Sequence, residues 1–312
     1  MQKNTPFFAR PMVAVLCAIG CNMLWGSAIP FINLGYRLFA IPSGAITTQI
    51  LFAGCRFFLA GLLTILFASV QKRTFVKPKK QNIDKVVKLA LTQTIAQYFF
   101  FYIGVANTAS VKGSIIQGLN AFAAILIACF LFKTERMNSL KWIGGLLGVA
   151  GVVAVNLDGG AIDASVSVMG EGFLMISMFA GACSAGLIKR YGQHDDPVAL
   201  SGWQFMLGGA VMAIGAFLLG GRLRPQSIGA LAVLLYLAFL SAVAYTVWSL
   251  LLKVNPVSRI AVFMFLQPVF GVLLSLILYG SSDVPLLRYA LSLVLVCLSI
   301  FIVGKGQQVE TR

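Results

Sequence analysis

The sequence predicts an all-α integral membrane protein with ten transmembrane helices. Of its 312 residues, 59% are hydrophobic and only 11% are charged, whereas soluble domains carry roughly 25% charged residues. A soluble chain could not cover so much apolar surface, but lipid can replace the polar exterior. The apolar residues also form stretches of roughly 17–28 residues, close to the 20 or so that cross the hydrocarbon core. No stretch alternates with a period of two, which argues against a membrane β-barrel.

Short polar breaks between the apolar stretches define the ten predicted spans. The break at Thr108–Lys112 is the weakest of them, and the longest two, Gln71–Lys85 and Leu157–Met169, are too short to hold a soluble domain. The first span is interpreted as uncleaved, because its apolar run continues to Leu34. The predicted spans are Pro11–Leu34, Ser43–Val70, Val86–Asn107, Gly113–Phe132, Leu140–Asn156, Gly170–Ile188, Val198–Leu219, Ile228–Leu252, Val257–Tyr279 and Pro285–Val303.

A weak internal repeat divides these spans into two halves, residues 1–157 and 158–312. A shift of 148 residues aligns Asn120 with Pro268 and Glu135 with Asp283, in the same layout of polar break, span and acidic residue. Each half then holds five spans. Because five is odd, the second half crosses the membrane in the opposite sense, which predicts two inverted five-helix repeats with a binding site between them near the midplane.

Basic residues predict the orientation of the chain. Seven of them surround the break between spans two and three at Lys72–Lys88, which is therefore expected to be cytoplasmic. Counting alternate breaks from there places 18 of the 24 Lys and Arg residues inside. Ten spans in the inner (plasma) membrane with both termini cytoplasmic follow from this count. The net charge of +15 is thus a topology signal with some attraction to anionic lipid, and no nucleic acid is expected as a partner.

The inventory of reactive side chains argues against an enzyme. The only histidine, His194, lies in a predicted cytoplasmic break, and the acidic residues all lie in breaks or at span ends, with Asp158 and Glu171 nearest to the membrane. The chain has no phosphate-binding Gly-x-x-x-x-Gly-Lys-Ser/Thr loop. All six cysteines lie within predicted spans, where packing is the simplest role. We therefore expect no catalytic residue, no metal site and no cofactor.

Arg56 is the one charge predicted near the bilayer midplane. Placing an arginine there costs at least about 2.5 kcal/mol, so it should face a cavity or a polar partner. It could hold a substrate carboxylate or phosphate with its planar fork. Alternatively, it could be structural, bonded to helix-end carbonyls or to neighbouring Asn and Gln side chains. Gly54 and the flanking Phe57 and Phe58 suggest close packing, which slightly favours the structural interpretation.

Polar residues at helical spacing predict a wet cavity shared by several spans. For any single one of them, an interhelical hydrogen bond is the simpler interpretation, but such stripes occur on five spans. Gln49 and Ser241 belong to these stripes, and Tyr102 could add to aromatic walls. Pro30 and Pro268 lie inside spans and are predicted hinges. The candidate substrate-binding residues are Asn22, Trp25, Arg56, Gln93, Gln97, Tyr98, Gln117, Asn120, Tyr245 and Trp248.

Several short motifs resemble those of EamA-type transporters in the drug/metabolite transporter superfamily. The first repeat of that family is similar to Leu24–Ser27, to Arg56–Gly61, to Ala106–Ala109 with Glu135, and to Gly144–Gly151. The second resembles Gly170–Lys189, Pro197–Gly208 and Gln267–Val269. The resemblance covers nearly the whole chain. It departs from the pattern at Asn120, where the family usually has proline, and at Tyr279–Ser282, where Asp283 stands only close to the usual glutamate.

The resemblance implies ten spans in two inverted repeats, alternating access, and small-metabolite substrates that are often exported. We therefore expect a secondary active or facilitative transporter that exports small polar or zwitterionic metabolites, such as amino acids or their derivatives. Such a substrate needs polar groups in its cavity, because a zwitterion left unpaired in hydrocarbon is very costly. A transporter of sugars, nucleotide-sugars or hydrophobic drugs is one alternative, and a membrane scaffold that transports nothing is another. The sequence leaves direction, coupling ion and the choice between monomer and homodimer open.

Overall fold

The computed structural model describes residues 6–42, 44–108, 113, 116–156, 167–279 and 286–310. Helix makes up 85% of the structure, and the described residues contain no strand. The prediction of an all-helical fold is confirmed. Nine of the described helices each occupy one continuous range: α1 Pro11–Leu38, α2 Ile46–Lys72, α3 Lys80–Ala106, α4 Ile116–Leu131, α5 Ser139–Asn156, α6 Val168–Gly192, α7 Pro197–Leu218, α8 Ile228–Val254 and α10 Leu286–Glu310.

The helix α9 is interrupted. It joins Val257–Ala261, a 3-10 segment at Val262–Phe265, and Leu266–Tyr279. Within the described residues, α1, α2, α3, α6, α7, α8 and α10 are long and apolar enough to cross a membrane, while α4, α5 and α9 include shorter apolar helices. The chain is therefore a multi-pass membrane protein.

Several helices extend beyond their predicted spans. Helix α1 continues from the predicted end at Leu34 to Leu38, and α10 continues from Val303 to Glu310. Helix α3 begins at Lys80, six residues before the predicted start at Val86. Hydropathy indicates where the chain leaves the hydrocarbon core. A helix can continue into the headgroup layer, because its backbone hydrogen bonds form within the helix itself. The predicted span ends at Ser43 and Pro285 lie outside the described residues.

Helices from the two predicted halves pack tightly against each other. The closest pair is α2 with α7, where glycines bring backbone against backbone. A Cβ on Gly54 would lie 2.5 Å from the backbone nitrogen of Ala213, and one on Gly61 would lie 2.5 Å from the carbonyl oxygen of Gly202. Helices α5 and α10 meet in the same way, since a Cβ on Gly144 or Gly151 would lie 3.1 Å from a carbonyl oxygen of α10. Small residues permit this close approach in membrane helices.

The remaining contacts surround α1 and α6. Helix α1 packs against α8 and α9, and α6 packs against α3 and α4. Helix α2 also contacts α8, and α7 also contacts α3. This arrangement brings the middle segments of α1, α2, α3, α7 and α8 together in one buried region. Arg56 of α2 lies in that region.

Candidate functional site

Arg56 lies near the middle of α2 and is only 3% exposed. Aromatic side chains from five helices surround it. We call this group the central cluster, and it consists of Trp25, Tyr36, Arg56, Phe57, Tyr98, Tyr102, Phe205, Tyr245 and Trp248.

Aromatic rings cover the guanidinium of Arg56. Its central carbon lies 4.5 Å from the ring centre of Phe57 and 5.9 Å from that of Tyr98. A cation over an aromatic face is attracted by the ring quadrupole, more strongly where water is excluded. The phenols of Tyr36 and Tyr102 lie next to each other and close to Arg56, but their two hydroxyls do not form a hydrogen bond of normal geometry. The charge is therefore placed in an aromatic setting that contains several hydroxyl groups.

The other rings of the central cluster form a connected wall. Tyr98 and Tyr245 share a hydrogen bond of 2.6 Å between their hydroxyl oxygens. The ring of Trp25 meets Tyr245 at 4.9 Å and Trp248 at 5.0 Å, both edge to face. Phe205 lies 4.9 Å from Tyr245 and stacks on Phe57 at 5.4 Å. Such pairs stabilise a fixed geometry, so these side chains form one packed aromatic group around Arg56.

Polar atoms without partners concentrate in this cluster. Seven buried side-chain nitrogen or oxygen atoms of the described residues make no hydrogen bond, and five belong to the cluster. The other two are Gln117 Nε2 and Ser292 Oγ. The five atoms are Trp25 Nε1, Tyr36 Oη, Arg56 Nε, Arg56 Nη1 and Tyr102 Oη. Because buried polar groups are paired in most native proteins, a cluster of unpaired ones calls for an explanation.

Two predicted site residues are instead used to join helices. Asn22 donates to the carbonyl of Ala18 at 2.7 Å and accepts from Gln267 at 2.9 Å, which links α1 to α9. Gln93 accepts from Gln204 at 2.8 Å, and Gln204 also accepts from Thr94 at 2.7 Å. These bonds link α3 to α7. Both residues therefore fit the interhelical interpretation rather than the wet cavity.

The remaining predicted polar residues are dispersed. The Gln97 side chain lies against Gly181 of α6. Gln117 and Asn120 are half-buried on α4, and no hydrogen bond or ring contact among the described residues joins either one to the central cluster. Ser241 and Gln49 donate to backbone carbonyls of Leu237 and Pro42, respectively. The hydrogen bonds and ring contacts of the described residues thus do not bring all five polar stripes together.

The two predicted hinge residues differ in their surroundings. Pro30 is buried within α1, which is continuous from Pro11 to Leu38. Pro268 is the third residue of the segment Leu266–Tyr279, in the first turn after the 3-10 segment of α9. A proline lacks the backbone donor and disfavours regular helix before it. The irregularity in α9 therefore has a local cause, and hinge motion at either proline stays a prediction.

Four residues of this region were not among the predicted site residues: Tyr36, Phe205, Gln204 and Gln267. One signal could have found Tyr36: it follows Trp25 by 11 residues, which is close to three helical turns and places both on one face of α1. No comparable signal exists for Gln204 or Gln267, because their roles depend on which helices become neighbours.

Three described acidic residues are buried away from the central cluster: Asp195, which bonds to Lys85, and Glu135 and Glu171. Glu135, in the connection between α4 and α5, accepts from Lys141 at 3.1 Å, from the Ser258 backbone at 3.1 Å and from Gln307 at 2.7 Å. Glu171, in the first turn of α6, accepts from Thr108 at 2.5 Å and from the Ser167 backbone at 2.8 Å. Asp158 lies outside the described residues. The three described carboxylates hold segments together rather than face Arg56.

Comparisons with known proteins match the whole length of the chain. The EamA-like transporter family matches twice, at residues 12–157 and 168–305. An uncharacterized transporter of Synechocystis is 27% identical, covering 91% of this chain and 90% of that protein. YedA, an uncharacterized inner membrane transporter of Escherichia coli K12, is 22% identical over 95% of this chain and 92% of its own.

A plant relative and a solved structure extend the comparison. A chloroplastic WAT1-related protein of Arabidopsis thaliana is 26% identical, covering 78% of this chain and 60% of that protein. A crystal structure with 17% identity superposes with a TM-score of 0.75 and covers 92% of this chain and 94% of its own. That likeness concerns the fold alone. With the family matching nearly every described helix, the chain belongs to the EamA-like transporter family and is a membrane transporter.

Proposed function

We propose that the protein exports small polar metabolites, such as amino acids or their derivatives, by alternating access through the central cluster. The observation that carries this proposal is Arg56, which is buried in the membrane interior without an ion pair among the described residues. A charged side chain without a partner inside the bilayer costs free energy, and such residues typically lie on the path of a transported substrate. A scaffold would be expected to pair its buried polar groups, and the five unpaired atoms of the cluster favour a site that a polar substrate completes.

We also propose ten spans arranged as two inverted repeats, residues 1–157 and 158–312. The packing supports this arrangement, because several pairs of contacting helices become other contacting pairs when five is added to both helix numbers, counting past ten from one again. The contacts of α1 with α8 and α9 correspond to those of α6 with α3 and α4, and the contact of α2 with α8 corresponds to that of α7 with α3. The pairs α2–α7 and α5–α10 correspond to themselves. The two separate family matches support the same division.

Reconstitution tests the function. The purified full-length protein in liposomes would be screened for uptake and efflux of amino acids and their derivatives, with and without a pH gradient. We expect at least one compound to cross the membrane faster than in protein-free liposomes. A difference in its rate with and without the pH gradient would identify proton coupling. If all these compounds leak at the protein-free rate while the protein remains folded, the proposed substrate class is wrong.

Cysteine accessibility tests the topology, which includes an inner (plasma) membrane location with both termini cytoplasmic. In a variant without the six native cysteines, single cysteines at Gln2 and Glu310 should resist an impermeant thiol reagent in intact cells and react after lysis. A cysteine at Arg222, between α7 and α8, should be labelled in intact cells, since that connection is expected to face outwards. Labelling of either terminal position in intact cells contradicts the ten-span topology.

A further inference from the structure

The five unpaired atoms of the central cluster share one chemical property. Trp25 Nε1 and the two Arg56 nitrogens can only donate hydrogen bonds, and the hydroxyls of Tyr36 and Tyr102 can donate as well. A buried donor that stays unpaired loses its water without compensation. What is missing from this region is therefore a set of acceptors.

The missing group must also carry negative charge. A guanidinium is a cation, and Arg56 forms no ion pair with a described carboxylate. The buried or partly buried acidic residues with described side chains bond elsewhere: Asp195 to Lys85, Asp196 to Lys72, Glu135 to Lys141, and Glu171 to Thr108. The rings of Phe57 and Tyr98 offer Arg56 a π-face but no anion.

The shape of the surroundings favours a planar anion of single charge. The rings of Phe57 and Tyr98 lie on the same side of the Arg56 guanidinium, because their centres are only 4.3 Å apart. They leave Nε and Nη1 without an acceptor, and a carboxylate can accept two guanidinium N–H groups in parallel. A doubly charged phosphate would find a single described cation in the cluster. The indole and the two phenols supply neutral donors of the kind that complete a carboxylate site.

We infer that the central cluster contains a carboxylate-binding subsite, with Arg56 as its charged anchor and Trp25, Tyr36 and Tyr102 as neutral donors. This inference rests on the proposed function, because it names the group by which the transported metabolite is held. It gives Tyr36 and Tyr102 a role in recognition. It also implies that neutral analogues of a substrate bind poorly.

Ligand-dependent melting tests the subsite independently of transport. The melting temperature of the purified protein in detergent would be measured with the L-amino acids and simple monocarboxylates, each beside its carboxamide, and with chloride and inorganic phosphate. A ligand that binds only the folded protein raises the melting temperature. We expect at least one acid to raise it while its amide does not. The subsite is overturned if no acid raises it, or if amides or the inorganic anions raise it equally.

Arginine variants identify the anchor. Arg56→Lys keeps the charge but loses the two-pronged geometry, so the affinity for the acid should fall roughly tenfold, and Arg56→Gln should lower it by about a hundredfold. Arg222→Lys is the matched control, because Arg222 also stacks on a phenylalanine, Phe217 at 4.2 Å, but lies at the exposed end of α7. It should bind the acid like the unmodified protein. Equal affinity in Arg56→Lys and Arg222→Lys contradicts the anchor role.

Phenol variants cover the case in which the arginine variants fail to fold. Tyr36→Phe and Tyr102→Phe each remove a hydroxyl that makes no hydrogen bond of normal geometry, so the ligand-free melting temperature should change little. The affinity for the acid should nevertheless fall several-fold. If both variants keep full affinity, these phenols are packing residues and the inferred donor set is wrong.

The outcomes separate this inference from the proposed function. An acid that stabilises the protein through Arg56 but is not moved in liposomes contradicts the transport proposal and leaves the subsite intact. An amide that is transported as well as its acid contradicts the subsite and leaves the transport proposal intact.

Discussion

Arg56 and the tyrosines near it differ in how their polar atoms are satisfied. The hydroxyls of Tyr98 and Tyr245 pair with each other, whereas those of Tyr36 and Tyr102 do not. The paired hydroxyls stabilise the contact between α3 and α8, and the unpaired ones are the groups that a ligand can use. Tyrosines of one cluster are therefore in two settings, one bonded across helices and one free to serve the proposed subsite.

Tyr98→Phe is expected to lower stability by about 1–2 kcal/mol, because Tyr245 would be left as a buried hydroxyl without a partner. The measurement is the melting temperature of the ligand-free protein in detergent. Tyr36→Phe is the control, since its hydroxyl has no bond to lose. Equal melting temperatures of the two variants would show that the bond between Tyr98 and Tyr245 contributes nothing.

Of the predicted site residues, the structure brings the charged and aromatic ones together more than the amides. Arg56, Trp25 and Tyr98 were recognisable because a charge or a large amphipathic ring stands out within an apolar span. The surroundings of Gln93 could not be predicted from regular helical spacing, because Ala90–Ala96 is π-helical. Its partner Gln204 lies 111 residues away. A single sequence contains no signal for that pairing.

At the scale of helices, the glycine contacts between α2 and α7 place two backbones at the shortest possible separation. The contact holds α2, and with it Arg56, against a helix from the other predicted half. A Cβ at Gly209 would overlap the backbone nitrogen of Phe58 and lie 2.8 Å from the carbonyl oxygen of Gly54. Backbone atoms cannot rotate away, so only a shift of the whole helix could relieve the overlap.

We expect Gly209→Ala to destabilise the protein by about 1–3 kcal/mol for this reason. Gly215→Ala is the matched control on the same helix, because a Cβ there meets nothing within 4 Å. That change should be neutral or stabilise by up to about 1 kcal/mol, since alanine favours helix. Thermal unfolding in detergent measures both, and a harmless Gly209→Ala would contradict the contact.

The connection between α6 and α7 is attached to α3 by a buried carboxylate. Asp195 accepts from Lys85 at 2.5 Å and from Asn82 at 2.7 Å. Burial raises the pKa of Asp195, but the hydrogen bonds from Lys85 and Asn82, with the charges of Lys85 and Lys79, outweigh it and hold the pKa below its usual 3.8. The folded pKa thus lies below the unfolded one, so the stabilisation is present above about pH 4 and is lost in more acidic solution.

Asp195→Asn should therefore lower the melting temperature at pH 7, and the difference from the unmodified protein should shrink as the pH falls below about 4. Lys85 would lose its charged partner in the variant but keep Asn82. Melting curves between pH 3 and pH 7 give the comparison. A difference that stays constant over this range would mean that the ionisation of Asp195 is not linked to folding.

For the whole molecule, Glu135 is the clearest polar link between the two predicted halves. It lies before α5 and binds Ser258 of α9 and Gln307 of α10, while Lys141 of α5 balances its charge. Lys141 is completely buried. The family resemblance drew attention to Glu135, but its partners could not be predicted, because they are brought together only when the halves pack.

Glu135→Gln is expected to destabilise the protein by about 3–5 kcal/mol, because it leaves the buried charge of Lys141 uncompensated. Adding Lys141→Met should recover part of the loss, and the double-mutant cycle measures the coupling. The exposed pair Asp84–Lys88 is the control, where Asp84→Asn should leave the melting temperature unchanged. Purely additive effects of the two changes would show that the pair is not energetically linked.

The backbone contact between Gly54 and Gly209 also restricts how the sequence can drift. When two side chains meet in a core, a larger residue on one helix can be offset by a smaller one on the other, so such positions can change together. At this crossing neither partner can become smaller, because glycine has no side chain to lose. Each of the two positions therefore has to remain glycine whatever residue occupies the other. A comparison of many relatives should find little correlated substitution between them.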